Sequence, residues 1–275
     1  MKLKQLCAAL LLPAVLTLPA CGASEPEAGL PEPGRIQPVS VPAEVCVGEA
    51  PAQTWTLPTA ETQLSLWSGE DIALLARTKD GSAALYALPD EDRNGGVLLR
   101  WGDTLEEFSW VYATPRSIPP QLWLRDMDAD GEDELVVSCY VVSGTGVSVE
   151  QLHVVERDAD GTLTDQALPW TAAAAALNGL PQVAAAGART YVMLGYELVD
   201  ITNTLPENTL PESLRLDDNV CFTPAAGDVG MTVTAGGWLD GEGLPATAVY
   251  AADIHGFLIC KDGRFVMDEL HLDGY

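Results

Sequence analysis

DMDADGEDELVVSCYVV, residues 126–142, runs without a break from a crowded acidic turn into an apolar strand. Asp126, Asp128 and Asp130 alternate, Gly131 follows, and Glu134 stands eight residues after Asp126. This is the spacing of oxygen ligands in a calcium loop, since calcium takes six to eight oxygens and needs a small residue where the chain bends sharply. Asp126, Asp128, Asp130 and Glu134 offer carboxylates, and Glu132 offers its backbone carbonyl. Six carboxylates fall within residues 126–134, a crowding that repels unless a cation offsets it. The bland alternative is an acidic turn whose Asp side chains accept bonds from their own backbone amides. The residues after the acids decide the fold. An EF-hand requires a bidentate Glu at position twelve and a helix on either side, but that position is Val137 and the sequence continues as a strand.

Working outward, the rest of the body repeats a strand–turn–strand layout. Residues 71–78 (DIALLART) lead through Lys79-Asp80-Gly81 into residues 82–88 (SAALYAL). The same layout recurs around Asp160-Gly161 and around Asp262-Gly263. Asp-Gly supplies the positive φ of a tight hairpin turn. Residues 97–101 and 108–112 read as strands, and Gly144-Thr145-Gly146 reads as a turn, because no helix follows it to bind an anion. Trp101, Phe108, Trp110 and Tyr112 either pack as a core or line a sugar-stacking surface. Only residues 171–177 (TAAAAAL) favour helix, with Gly179 and Pro181 to end it. The expectation is a mainly β fold of antiparallel hairpins, propeller-like or sandwich, with at most one short helix. The body spans 52–275, with an internal seam near 206–220 where turn-forming residues gather.

The segment QLWLRDMDADGEDELVV resembles the Asp-rich repeats of the FG-GAP and VCBS type, in which a strand, a D-x-D-x-D-G loop and a second strand form part of a propeller blade. The motif occurs clearly once, and Asp158-Ala159-Asp160-Gly161 is a truncated echo. GTGVSVEQLHVVE and AVYAADIHGFLICKDGRFVMDEL are similar to parts of uncharacterised lipoproteins of Gram-positive bacteria, which implies a location and no activity.

The first 21 residues, MKLKQLCAALLLPAVLTLPAC, read as an export signal: Lys2 and Lys4, an apolar run, then small residues. Leu18-Pro19-Ala20-Cys21 resembles the lipobox of bacterial lipoproteins, which implies a lipid on Cys21, with Pro19 departing from the usual small residue. Residues 22–51 carry Pro26, Pro31, Pro33, Pro38, Pro42 and Pro51 and read as a disordered tether rich in Pro and Glu.

The 275 residues have a formal net charge of −26 and a pI near 4.1, which excludes phosphate backbones as natural partners. No HExxH, CxxC or GxSxG is present, so zinc hydrolysis, dithiol chemistry and an α/β-hydrolase nucleophile lack their signatures. His153, His255 and His271 each fall in a strand-like run and read as structural. Cys46, Cys139, Cys221 and Cys260 allow two disulfides in any of three connectivities, or free thiols. Together these readings describe an exported protein, lipid-anchored on the extracytoplasmic face of the cell membrane, with a structural calcium loop. Its expected role is a non-catalytic binding or structural module with an envelope glycan or protein as partner. The alternative is an extracytoplasmic hydrolase acting on glycan or peptide.

Overall fold

A computed structural model describes residues 30–274 apart from 91, 93, 94, 207, 208, 210 and 245–248. In chain order the strands are β1 (Val39–Pro42), β2 (Glu44–Val47), β3 (Ala73–Arg77), β4 (Ala83–Ala87), β5 (Val97–Trp101), β6 (Thr104–Phe108), β7 (Gln121–Arg125), β8 (Glu134–Gly144) and β9 (Val147–Arg157). After β10 (Leu163–Leu168) comes the one α-helix of the described residues, α1 (Trp170–Leu177). Next come β11 (Gln182–Ala186), β12 (Arg189–Leu194), β13 (Glu197–Asp200), β14 (Ser213–Arg215), β15 (Asn219–Pro224), β16 (Met231–Asp240), β17 (Val249–Lys261) and β18 (Arg264–Gly274). With 52% of the described residues in strand against 6% helical, the fold is mainly β.

All three expected Asp-Gly hairpins form, as β3–β4, β9–β10 and β17–β18. In the last of them Asp262 and Gly263 have φ of 52° and 69°, the pair of positive angles that a two-residue turn needs to match the strand twist. The expected helix also forms.

Strands β3 to β6 make a four-stranded meander and β11 to β13 a three-stranded one, while the remaining eleven strands share a large sheet. Its pairings are antiparallel except where Asn219 and Val220 of β15 run parallel to Ser148 and Val149 of β9. Strand β8 holds the layers together. Successive side chains of a strand point to opposite faces, and here both faces are covered. Leu135, Val137 and Cys139 enter a core with Leu75, Leu85 and Leu99 of the meander. Val136 enters the main core, which contains Leu152, Ala173, Leu177, Phe222, Met231 and Phe265. No closed barrel or propeller forms among the described residues, and the packed sheets are consistent with a sandwich-like reading.

Two readings of the sequence need correction. The stretch 22–51 is not a disordered tether throughout: β1 pairs with β18 and β2 with β10, and Ala43 between them donates its N–H to Gly263 O at 2.9 Å. Val39 and Val41 pack on the main core, so β-branched alternation outweighs the prolines, and Pro42 is tolerated on a sheet edge. Residues 109–112 are not strand. Trp110 and Tyr112 are buried from irregular backbone, Phe108 stacks on Trp110 at 4.8 Å, and Tyr112 Oη donates to Leu88 O; these aromatics form core rather than a sugar-stacking surface. The turn-rich region 206–220 is sewn in by β14, which pairs with β16, and by Leu214 and Leu216, which are buried in the main core.

Because Leu135 is fully buried at the junction of the layers, Leu135→Ala lowers stability by about 2–5 kcal/mol. Val142→Ala, on the exposed end of the same strand, changes it by less than about 0.5 kcal/mol. Urea unfolding monitored by tryptophan fluorescence measures both, and equal effects would contradict the double burial.

Candidate metal centre

Residues 126–133 connect β7 to β8, whose pairing ends at Arg125 opposite Glu134. The loop is therefore a strand–loop–strand connection, as its sequence implies. Three successive residues anchor its start. The Arg125 guanidinium is buried and donates only to carbonyls of residues 225–230: Nε and Nη2 to Gly230 O, Nη1 to Gly227 O at 2.6 Å, and Nη2 also to Ala225 O and Val229 O at 3.1 Å. Asp126 exchanges backbone bonds with the same segment, donating to Asp228 O and accepting from Gly230 N–H. Met127 is wholly buried in the main core and its carbonyl accepts Cys260 N–H at 2.7 Å.

Beyond Met127 the chain coils tightly. Ala129 and Gly131 have φ of 65° and 93°. A Cβ on Gly131 would meet nothing within 4 Å, so the requirement there is the positive φ alone. Asp126 accepts Asp130 N–H through Oδ1 and Gly131 N–H through Oδ2. Asp128 Oδ1 also accepts Asp130 N–H, at 3.0 Å, and Asp130 Oδ1 accepts Glu132 N–H at 2.8 Å. Asp128 and Asp130 thus hold the backbone with one oxygen each.

The result brings Asp126, Asp128 and Asp130 together, with one carboxylate oxygen of each lying within 4.8 Å of the others. Two oxygens in one calcium shell lie at most about 5 Å apart, given Ca–O distances of 2.3–2.6 Å, so the three aspartates fit a hard cation. The Glu134 carboxylate is not part of this group. Glu132 is exposed and contributes its N–H to Asp130. Glu134 turns back, with Oε2 accepting Met127 N–H at 2.6 Å. An eight-residue connection between paired strands brings Glu134 under the loop's first turn, and there the nearest donor is a backbone amide.

A cavity of about 350 Å³ opens beside the cluster, lined by Trp101, Asp128, Asp130, Glu132, Asp133, Glu134, Glu156 and Arg157. Burial pushes the Glu134 carboxyl up to about 7, against the pull of the Met127 N–H and with help from the charges of Asp128, Asp130 and Glu156. Glu156 is raised as well, first by burial and then by Asp128, with the Gln166 amide pulling the other way. The Arg157 guanidinium lies over the Trp101 ring at 4.6 Å and donates to its carbonyl, the one cation of the cavity lining. Sequence reasoning misses Glu156 because nothing local ties β9 to the loop; Leu135 pairs with Val155, and only that register brings the next residue alongside.

The histidines fit a structural reading in part. His153 Nδ1 lies 2.8 Å from Asp165 Oδ2, both are closed to solvent, and the ring stacks on Trp110 at 4.0 Å. Cys46, Cys139, Cys221 and Cys260 are unpaired, with Cys139 and Cys260 buried. Cys21 and the export signal lie outside the described residues. No protein-family model matches the chain, and no curated protein or solved structure matches it.

The raised Glu134 carboxyl has a definite consequence. Between its ordinary value of 4.5 and about 7 the folded, metal-free protein holds a proton that the unfolded chain has released, so stability falls as pH rises through that window. Glu134→Gln flattens this part of the profile. Melting temperatures at pH 5 and pH 7.5 in the presence of a chelator measure the slope, and an unchanged slope in the variant would refute the assignment.

Proposed function

We propose that the protein is an exported envelope protein, anchored through a lipid on Cys21, whose acidic loop holds a structural calcium ion. Its role in this reading is that of a non-catalytic module that binds or supports an envelope glycan or protein. The observation that carries the ion is the convergence of Asp126, Asp128 and Asp130 oxygens within 4.8 Å on a loop that needs no rearrangement to present them. Several flexible carboxylates favour calcium over magnesium, which demands a near-ideal octahedron. The likeness to FG-GAP and VCBS segments supports the same ion, and the flanking antiparallel strands agree with it. The signal-like residues 1–21 support the location. No helix among the described residues is long and apolar enough to cross a membrane, so in this reading the lipid alone provides the attachment.

A dissociation constant near 10⁻⁴ M, at the tight end of the range for extracellular modules, gives about 2 kcal/mol of stabilisation at 5 mM calcium. That corresponds to a rise of about 4–8 °C in melting temperature for a body of this size. Calorimetry with and without calcium is the test; Asp128→Ala abolishes the rise, and coincident wild-type melts would sink the ion. For the anchor, Cys21→Ser moves the protein from the membrane fraction to the soluble one. Retention of the variant in the membrane fraction would remove the lipid.

A further inference from the structure

Two of the three histidines fall on one spot. Strands β17 and β18 set His255 directly opposite His271, which places their Cβ atoms about 4.5–5.5 Å apart. Both side chains lie on the outer face, because the neighbouring Ile254 and Leu272 point into the main core. The strand register shifts between His255 and Phe257, Glu269 opposite has a φ of 50°, and such bulges re-aim the side chains beside them.

The ring nitrogens are already sorted. His255 Nδ1 lies 2.9 Å from Thr234 Oγ1, and His271 Nδ1 lies 2.8 Å from Glu197 Oε1. Glu197 is itself fixed, since its other oxygen accepts Leu272 N–H. A metal-binding histidine characteristically engages one nitrogen with an oxygen in this way and offers the other to the ion. On His255 that leaves Nε2 for an ion. His255 Nε2 stands 3.3 Å from Asp273 Oδ2. Two ligands on one tetrahedral zinc, at about 2.0–2.1 Å each, are separated by about 3.3–3.4 Å. The spacing of this pair therefore equals that of a nitrogen and an oxygen sharing one ion. A cavity of about 400 Å³ lined by His255, Glu269 and His271 leaves room for a water as the remaining ligand.

We propose that His255, His271 and Asp273 form a second metal site, for a divalent transition ion of the zinc class, independent of the acidic loop. His255 and Asp273 already stand at ligand spacing. The three ligand atoms do not yet converge as a group; the His271 side chain is 64% exposed and completes the set by a rotation that exchanges its Glu197 contact for the ion, on a strand whose register holds its backbone opposite His255. Imidazole nitrogens select zinc, copper or nickel over calcium, whereas the all-oxygen loop has the reverse preference, so the two sites are chemically separable. The inference does not rest on the calcium reading.

The test is titration of the untagged full chain with Zn²⁺ against a chromophoric chelator, repeated with Co²⁺, whose visible bands report tetrahedral geometry. One equivalent binds, affinity falls at least about tenfold in His255→Ala and in His271→Gln, and Asp128→Ala binds zinc as the wild type does. Millimolar calcium leaves the zinc in place. The ring ¹⁵N resonances of His255 and His271 shift on zinc addition to the wild type, a readout that requires no variant to fold. Three results would each overturn the site: no zinc uptake by the folded wild type, unchanged affinity in His271→Gln, or loss of uptake in Asp128→Ala, which would put the ion in the loop.

Discussion

Burial of β8 on both faces is the constraint around which the rest of this structure is arranged. Leu135, Val136, Val137 and Cys139 are all closed to solvent, and side chains of this kind contribute roughly 1.5–3 kcal/mol each when fully buried. A strand with no polar face needs a layer on either side. The β3–β6 meander supplies one, and α1 with β15 to β18 supplies the other. Polar groups that fall on the strand must then be satisfied internally: Ser138 Oγ donates to Glu150 Oε2 at 2.6 Å, and that buried carboxylate also accepts Phe222 N–H from β15.

The acidic loop inherits its rigidity from this strand. At the rim where the double burial ends, Asp128 and Asp130 reach water and Asp126 and Glu134 are buried, while the backbone is tied to the core through Met127. On the other side the loop is tied to residues 225–230. A buried guanidinium with no carboxylate partner is costly unless its donors are met, and Arg125 meets its donors entirely with carbonyl oxygens. The segment that supplies them lies about a hundred residues further along the chain, so the position of Asp126 is set as much by the C-terminal strands as by its own sequence. An ion held by the aspartates would therefore brace both halves of the body.

Charge is unevenly used across the molecule. Against 40 acidic residues the chain has 14 basic ones, and among them Arg125 is spent inside the fold and Arg157 is stacked on Trp101. What remains is an acidic surface with two kinds of local relief: an all-oxygen cluster beside β8, and an imidazole-containing one on the outer face of β17 and β18. Their donors differ in hardness, carboxylate oxygen against imidazole nitrogen.

The sequence by itself determined the local features. Asp-Gly pairs specified three hairpins, the alanine run specified the helix, and alternating aspartates with Gly131 specified a tight acidic loop between strands, because turn geometry and propensity act over a few neighbouring residues. Only the tertiary structure decided the rest. It recruited Val39 and Val41 from a proline-rich stretch into the large sheet, turned Trp110 and Tyr112 inward without a strand, tied Glu134 to the Met127 amide, brought Glu156 into the same cavity lining, and set His255 against His271. Each of these depends on register or on a partner far away in the chain. Local preferences of a fraction of a kcal/mol yield to the burial of large side chains, and strand register is settled only when whole faces are packed.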